Sequence, residues 1–207
     1  MSDDVAYPIF RSPDRAEALR VARQMVAFGV RPYSQVSVEA EAHTLDELRR
    51  LCGELPEARL VCWDATGAPA VPPPGLPDLT RTIPVRELPE DLSGAEAYLP
   101  LGFSIEDQPV GSVEDRLVDA VGVFPAWINW ESLEWSEVPE RGFYGEYKHA
   151  EVTLVLNNDS RELDVPADTH LVLVHIRLGN LDGYEDRLAR HLAERIGREV
   201  IGPPQLL

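Results

Sequence analysis

The chain has 207 residues and carries 36 aspartates and glutamates against 19 lysines and arginines, which gives a formal net charge of −17. A field of this sign repels nucleic acids and anionic membranes and attracts basic surfaces. Because 44% of the residues are hydrophobic, the chain can bury a core and is not expected to be disordered. No apolar run approaches the roughly 20 residues that span a bilayer, and the acidic start lacks a secretion signal, so a cytoplasmic protein is expected.

Residues 1–65 have the pattern of an N-terminal α/β half. Ser12-Pro13 predicts the start of a helix, because a capping hydroxyl is followed by proline, and Gly29 predicts its end. The sequence Thr44-Leu45-Asp46-Glu47 is typical of a capping box and predicts a second helix. Short segments with strand character flank the two helices at 7–10, 35–39 and 59–63.

Residues 66–92 contain seven prolines. Each proline removes a backbone donor and fixes φ, so regular structure is not expected here. The segment is predicted to be a semi-rigid connector between residues 1–65 and residues 93–207.

Residues 93–207 combine an acidic segment with a β-hairpin and a C-terminal helix. Ser112 is expected to cap a helix that ends near Gly122, whereas periodicity does not decide between helix and strand at 126–138. Segments 150–156 and 170–178 are rich in β-branched residues, and residues 182–185 can cap a final helix. The chain is predicted to be α+β, with a mixed, mostly antiparallel sheet and three to four helices packed on it, as two subdomains or as one integrated domain.

Much of the negative charge lies between residues 87 and 146. Fourteen carboxylates in this stretch face only Arg116 and Arg141, which leaves a local charge of −12. One interpretation is a negative surface for a basic partner. The alternative is a proteome-wide bias, since Lys148 is the only lysine beside eighteen arginines.

Three of the four tryptophans lie within nine residues of this acidic stretch. Interfaces concentrate tryptophan in desolvated centres and place charges at the rim, where they steer the encounter. The alternative is that the rings fill the core and the acids form its solvated side, with at least one ring partly exposed. The candidate partner-binding residues are Trp127, Trp130, Glu131, Glu134, Trp135 and Glu137.

The late β-hairpin is expected to place Glu151 opposite His175 and His149 opposite Arg177. Two imidazoles and a carboxylate are zinc ligand types, which makes His149, Glu151 and His175 candidate metal ligands. The alternative is cross-strand charge pairing, because Arg177 would repel a cation and a one-residue slip would separate the group.

The two cysteines, Cys52 and Cys62, lack the Cys-x-x-Cys spacing of redox and zinc sites. Both are therefore expected to be apolar core residues.

The sequence contains no Gly-x-Ser-x-Gly, Walker loop, dinucleotide fingerprint or His-Glu-x-x-His motif. We therefore predict a non-catalytic acidic binding protein, without a cofactor, that engages a basic protein partner as an inhibitor, immunity-type or regulatory module. One alternative is a metal-assisted hydrolase that uses the histidines and the glutamate of the late hairpin. Another is a structural subunit of a larger assembly or homo-oligomer, in which the arginine-rich segment 11–31 of one copy meets the acidic stretch of another.

Overall fold

The computed structural model of the chain describes residues 4–62, 72–146, 150–159, 166–177 and 183–206. Within these ranges the chain forms four α-helices and nine β-strands. The helices are α1 (Arg15–Gly29), α2 (Leu45–Glu54), α3 (Glu114–Ala120) and α4 (Tyr184–Arg195). The strands are β1 (Asp4–Ser12), β2 (Gln35–Ala42), β3 (Arg59–Val61), β4 (Ile83–Pro84), β5 (Leu101–Pro109), β6 (Ala126–Glu131), β7 (Glu151–Leu156), β8 (His170–Arg177) and β9 (Gln205–Leu206). The predicted α+β fold is confirmed.

The nine described strands form one sheet in the order β4-β3-β5-β2-β6-β7-β8-β1-β9. Every pairing between these strands is antiparallel. The strand β2 belongs to the N-terminal half, residues 1–65. It lies between β5 and β6, which both belong to residues 93–207. The proline-rich segment 66–92 contributes the short edge strand β4, and residues 66–71 lie outside the described residues.

All four helices pack on the same face of the sheet. One apolar cluster joins residues of every helix to the inward residues of the strands, among them Val38, Ile128, Leu154 and Val174. A second cluster, formed by Ala6, Val155, Leu171 and Leu173, lies on the opposite face and contains no helix residue. We call that opposite side, within the described residues, the helix-free face. None of the helices in the described ranges combines the length and the apolar character needed to cross a membrane.

The helix starts differ from expectation in detail. The predicted start at Ser12-Pro13 is wrong, because Ser12 is the last residue of β1 and Asp14 caps α1 by accepting from the backbone N–H groups of Ala16 and Glu17. The predicted cap at Thr44 is confirmed, because its hydroxyl accepts from the N–H of Glu47 at 3.2 Å; the Glu47 side chain accepts in return from the N–H of His43 at 3.1 Å rather than from that of Thr44. The ambiguous stretch at 126–138 is a strand over its first six residues.

A buried carboxylate joins the start of α3 to the sheet. The side chain of Glu114 accepts hydrogen bonds from the backbone N–H of Gly111 at 2.8 Å and of Val113 at 3.1 Å, and from the indole N–H of Trp130 at 2.9 Å. Glu114 is only 1% exposed. Since three donors converge on it, the ion is compensated by hydrogen bonds rather than by a cation.

We expect Glu114→Gln to lower the free energy of unfolding by roughly 1–3 kcal/mol. The substitution replaces one carboxylate oxygen with an amide N–H₂ group, which would face an N–H donor that the oxygen now accepts from. Urea denaturation at pH 7 measures this, with the exposed Glu96→Gln as the control. Equal stability of the two variants would contradict the structural role of Glu114.

Candidate functional site

The tryptophan-rich stretch is divided between the core and the helix-free face. Trp130 is fully buried, and Trp135 is 1% exposed and donates its indole N–H to the backbone carbonyl of His175 at 3.0 Å. Neither ring lies on the surface. Trp127 is half-buried on the helix-free face, where it packs against the second apolar cluster. The expectation that at least one ring is partly exposed is confirmed.

The three predicted glutamates also separate. Glu131 lies on the helix-free face at the end of β6, whereas Glu134 forms an ion pair with Arg31 at 3.0 Å, just beyond the end of α1. Glu137 is exposed in the chain that follows. The six residues predicted as one binding surface therefore do not form one in the structure, and only Trp127 and Glu131 share the helix-free face.

Other acidic residues join Glu131 on that face. Alternation along β2 places Glu39 there, the register of β6 with β7 places Glu151 beside Glu131, and the end of β5 brings Glu106 and Asp107 alongside. We call these five carboxylates, Glu39, Glu106, Asp107, Glu131 and Glu151, the acidic face. Among the residues that the structure describes, no arginine or lysine forms an ion pair with any of them.

The electrostatics of the acidic face are unfavourable in the free protein. Burial raises the pKa of Glu39, and the charges of Glu106 and Glu131 raise it further. Burial also raises the pKa of Glu131, as does the charge of Glu151, while hydrogen bonds from Asn129 and Ser37 oppose the increase. Both directions have the same cause: carboxylates are held close together with incomplete solvation.

A chain of hydrogen bonds runs across β6, β7 and β8 on the same side of the sheet as the acidic face. The amide nitrogen of Asn129 donates to Glu131 and to Glu151, each at 3.2 Å. The Thr153 hydroxyl lies 2.7 Å from the Asn129 amide oxygen and 2.8 Å from His175 Nε2. The other ring nitrogen, His175 Nδ1, is 3.8 Å from both Glu151 Oε2 and Asp4 Oδ2.

The predicted hairpin register is confirmed, since Glu151 pairs directly with His175. The third candidate metal ligand, His149, lies outside the described residues. In the parts of the chain that the structure describes, no three histidine, cysteine or acidic side chains are placed to hold a metal ion. The metal site stays a prediction.

The cysteines fit the apolar interpretation. Cys62 is buried, Cys52 is half-buried, and both are free thiols. Burial raises the pKa of Cys52 to about 11, which keeps its thiol protonated at neutral pH and disfavours a nucleophilic role.

Part of the acidic stretch is neutralised within the chain. Arg23 forms an ion pair with Asp115 at 2.8 Å, and Arg31 forms one with Glu134 at 3.0 Å. Arg15 donates to the carbonyls of Val118, Val121 and Gly122 at the end of α3. The arginines of the first helix thus contact the acidic part of their own chain, and none of these contacts reaches the carboxylates of the acidic face.

A buried carboxylate lies beside the histidine end of the network. Glu146 is 8% exposed and accepts a hydrogen bond from the backbone N–H of Arg177. Burial raises the pKa of Glu146 to about 7; the Arg177 N–H and charge oppose this, and the charges of Asp4 and Glu185 add to it.

Comparisons with protein-family models, with curated proteins and with solved structures found no match to this chain. The basis for a functional proposal is therefore the geometry. Glu39, Asn129 and Thr153 belong to the candidate site but were not predicted from the sequence. The alternation of polar and apolar residues along 35–42 was the available signal for Glu39, because it assigns four polar side chains to one face.

We expect Glu39→Gln to raise the free energy of unfolding at pH 7 by roughly 0.5–1 kcal/mol, because it removes a carboxylate whose ionised form is disfavoured by burial and, to a smaller extent, by the charges of Glu106 and Glu131. The folded state holds the Glu39 proton more tightly than the unfolded chain does. Stability should therefore fall as the pH rises above the ordinary glutamate pKa, and less so in the variant. Thermal unfolding at pH 4 to 8 measures this. Glu134→Gln is the control, because it breaks an ion pair and should not stabilise; stabilisation by both variants would contradict the assignment.

The raised pKa of Glu146 predicts a second pH effect. Its folded pKa of about 7 lies above the ordinary glutamate value, so stability should decline between about pH 4.5 and 7 as the buried group ionises. Glu146→Gln keeps an acceptor for the Arg177 N–H and should be more stable than the unchanged protein at pH 8 by roughly 2 kcal/mol. Urea titrations at pH 5 and pH 8 provide the comparison. An unchanged pH dependence would show that Glu146 is already ionised at low pH.

Proposed function

We propose that this chain is a non-catalytic binding protein that engages a basic protein partner through the acidic face. The observation that supports this most directly is the set of five carboxylates on one side of the sheet with no arginine or lysine paired to them among the described residues. An inhibitor, an immunity-type protein or a regulator of a nucleic-acid-binding protein would use such a surface. A cytoplasmic location is part of the proposal.

In the unbound protein, the carboxylates of the acidic face lie in energetically unfavourable surroundings. Carboxylates directly opposite each other on adjacent strands destabilise a sheet. Burial and repulsion raise the pKa of Glu39 and Glu131, so both ions lack the compensation that Glu134 receives from Arg31. A cationic partner would supply this compensation, since complementary charge accelerates association and selects the correct orientation.

The net charge of the chain is a weaker argument than the position of the acids. Glu114 and Asp115 are engaged by the chain's own donors and are not free to bind a partner. A test of the proposal must therefore compare the acidic face with other acids at constant net charge.

The experiment is affinity capture from a lysate of the source cell at low salt with three forms of the protein. In the face variant, Glu39, Glu131 and Glu151 are replaced with glutamine. In the control variant, the exposed Glu90, Glu96 and Glu140 are replaced in the same way. We expect a basic protein to bind the unchanged protein and the control, to elute as salt rises, and to associate at least about tenfold more slowly with the face variant.

Three results would overturn the proposal. Equal capture by the face variant and the control would show that only overall charge matters. Stoichiometric zinc or manganese in the purified protein, lost on His175→Ala, would instead favour the metal-assisted hydrolase. Dissociation of a homo-oligomer at high salt, with no foreign partner captured, would favour the structural subunit.

A further inference from the structure

In the hydrogen bonds beside the acidic face, the carboxylates determine which atom of each following pair donates and which accepts. Ionised carboxylates can only accept, so the Asn129 amide must turn its N–H₂ group towards Glu131 and Glu151, where both distances are 3.2 Å. Its amide oxygen therefore faces Thr153 and accepts the hydroxyl proton over 2.7 Å. The orientation of this side chain is set by the acids.

The same hydrogen bonds determine which nitrogen of the His175 ring carries the hydrogen when the ring has only one. The Thr153 hydroxyl has one proton, which it donates to Asn129, so over the 2.8 Å contact it accepts from His175 Nε2. Nε2 carries the hydrogen and Nδ1 is a bare acceptor. That atom is fully buried, has no hydrogen-bond partner, and lies 3.8 Å from both Glu151 Oε2 and Asp4 Oδ2, on the side of Glu151 away from Glu131.

The network therefore presents only acceptors where β6, β7 and β8 meet. The carboxylate of Glu151 lies between the shared Asn129 amide and the lone pair of His175 Nδ1. Glu151 therefore lacks a donor on its His175 side and shares a single amide with Glu131 on the other side, and a ligand rich in N–H donors that reached its remaining oxygen would compensate this. A ligand that itself carries acceptors, such as a phosphate or a carboxylate, would not.

We propose that the cation recognised by the acidic face is an arginine side chain of the partner, whose guanidinium group lies between Glu131 and Glu151. Asn129, Thr153 and His175 are positioning residues that hold these two carboxylates. This inference rests on the proposed function and adds the chemical class of the bound group.

Guanidinium fits this arrangement better than ammonium does. The two carboxylates come from adjacent strands and share one amide, so both lie within the reach of a single planar group. A guanidinium offers five N–H donors in a planar fork that can contact both carboxylates at once, whereas an ammonium is a compact point charge. Guanidinium is also the more weakly hydrated cation, which suits a site where burial already raises the pKa of Glu131.

The test uses blocked tetra-arginine and tetra-lysine peptides, which carry the same charge. We expect tetra-arginine to bind the unchanged protein on the order of tenfold more tightly than tetra-lysine at low salt, measured by isothermal titration calorimetry. Glu151→Gln should abolish this preference. Glu106→Gln removes one charge from the same face but not from the pair, so it should weaken both peptides equally and keep the preference.

The outcomes separate the two proposals. If neither peptide binds, the acidic face is not a cation-binding surface and the proposed function fails. If both bind equally to the unchanged protein, the proposed function stands and the arginine inference is overturned. An equal loss of preference in Glu151→Gln and Glu106→Gln would also overturn it.

The positioning role has its own readout. Thr153→Val removes the central hydroxyl with little change of shape and should reduce the ratio of the two affinities. Thr169→Val is the control, because that buried hydroxyl has no hydrogen-bond partner. A separate measurement on the unchanged protein is the ¹⁵N spectrum of the His175 ring at neutral pH. We expect the proton on Nε2; a proton on Nδ1 would overturn the network.

Discussion

The period of two along a β-strand is the constraint on which this molecule depends. All four described helices cover one face of the sheet, and successive side chains of a strand point to opposite faces. Along β2 the apolar side chains therefore face the helices and the polar ones face the other side, whereas β1, β7 and β8 place a second apolar cluster there. Along β6, Trp130 is fully buried while Glu131, its neighbour in the chain, lies on the opposite face. The acidic face is a direct product of this alternation.

The negative charge of the chain has two separate roles. Some carboxylates are structural. Glu114 accepts hydrogen bonds from three donors at the start of α3, Asp115 forms an ion pair with an arginine of α1, and Glu134 forms one with the arginine that follows α1. Others, the carboxylates of the acidic face, form no ion pair with an arginine or lysine of the described ranges and gather where β5, β2, β6 and β7 meet. The acids with unfavourable surroundings carry the functional argument, because the paired ones are explained by folding alone.

Much of the fold could be predicted from sequence because its signals are local. The strands at 35–39 and 150–156, the Thr44 cap of α2 and the pairing of Glu151 with His175 all follow from period, composition or loop symmetry. The site could not be predicted as a whole, because it depends on the pairing of β2 with β6, and no local sequence pattern shows which strands pair when they are far apart along the chain. Clustering of tryptophan and acid along the chain was misleading, since adjacent residues of a strand face opposite ways.

The strand order has a consequence for how the chain reaches its native state. The first strand pairs with β8, so Asp4 lies opposite Arg177, and β2 is enclosed between β5 and β6. Contacts so distant in sequence bear a large loop-closure entropy and slow the search for the native topology. During synthesis, β2 and β3 can pair as soon as β5 and β6 have emerged, whereas β1 stays without its neighbours until β8 and β9 have been made. A strand that remains unpaired for so long exposes its edge to other nascent chains, so this topology makes β1 the segment most open to misassembly before folding is complete.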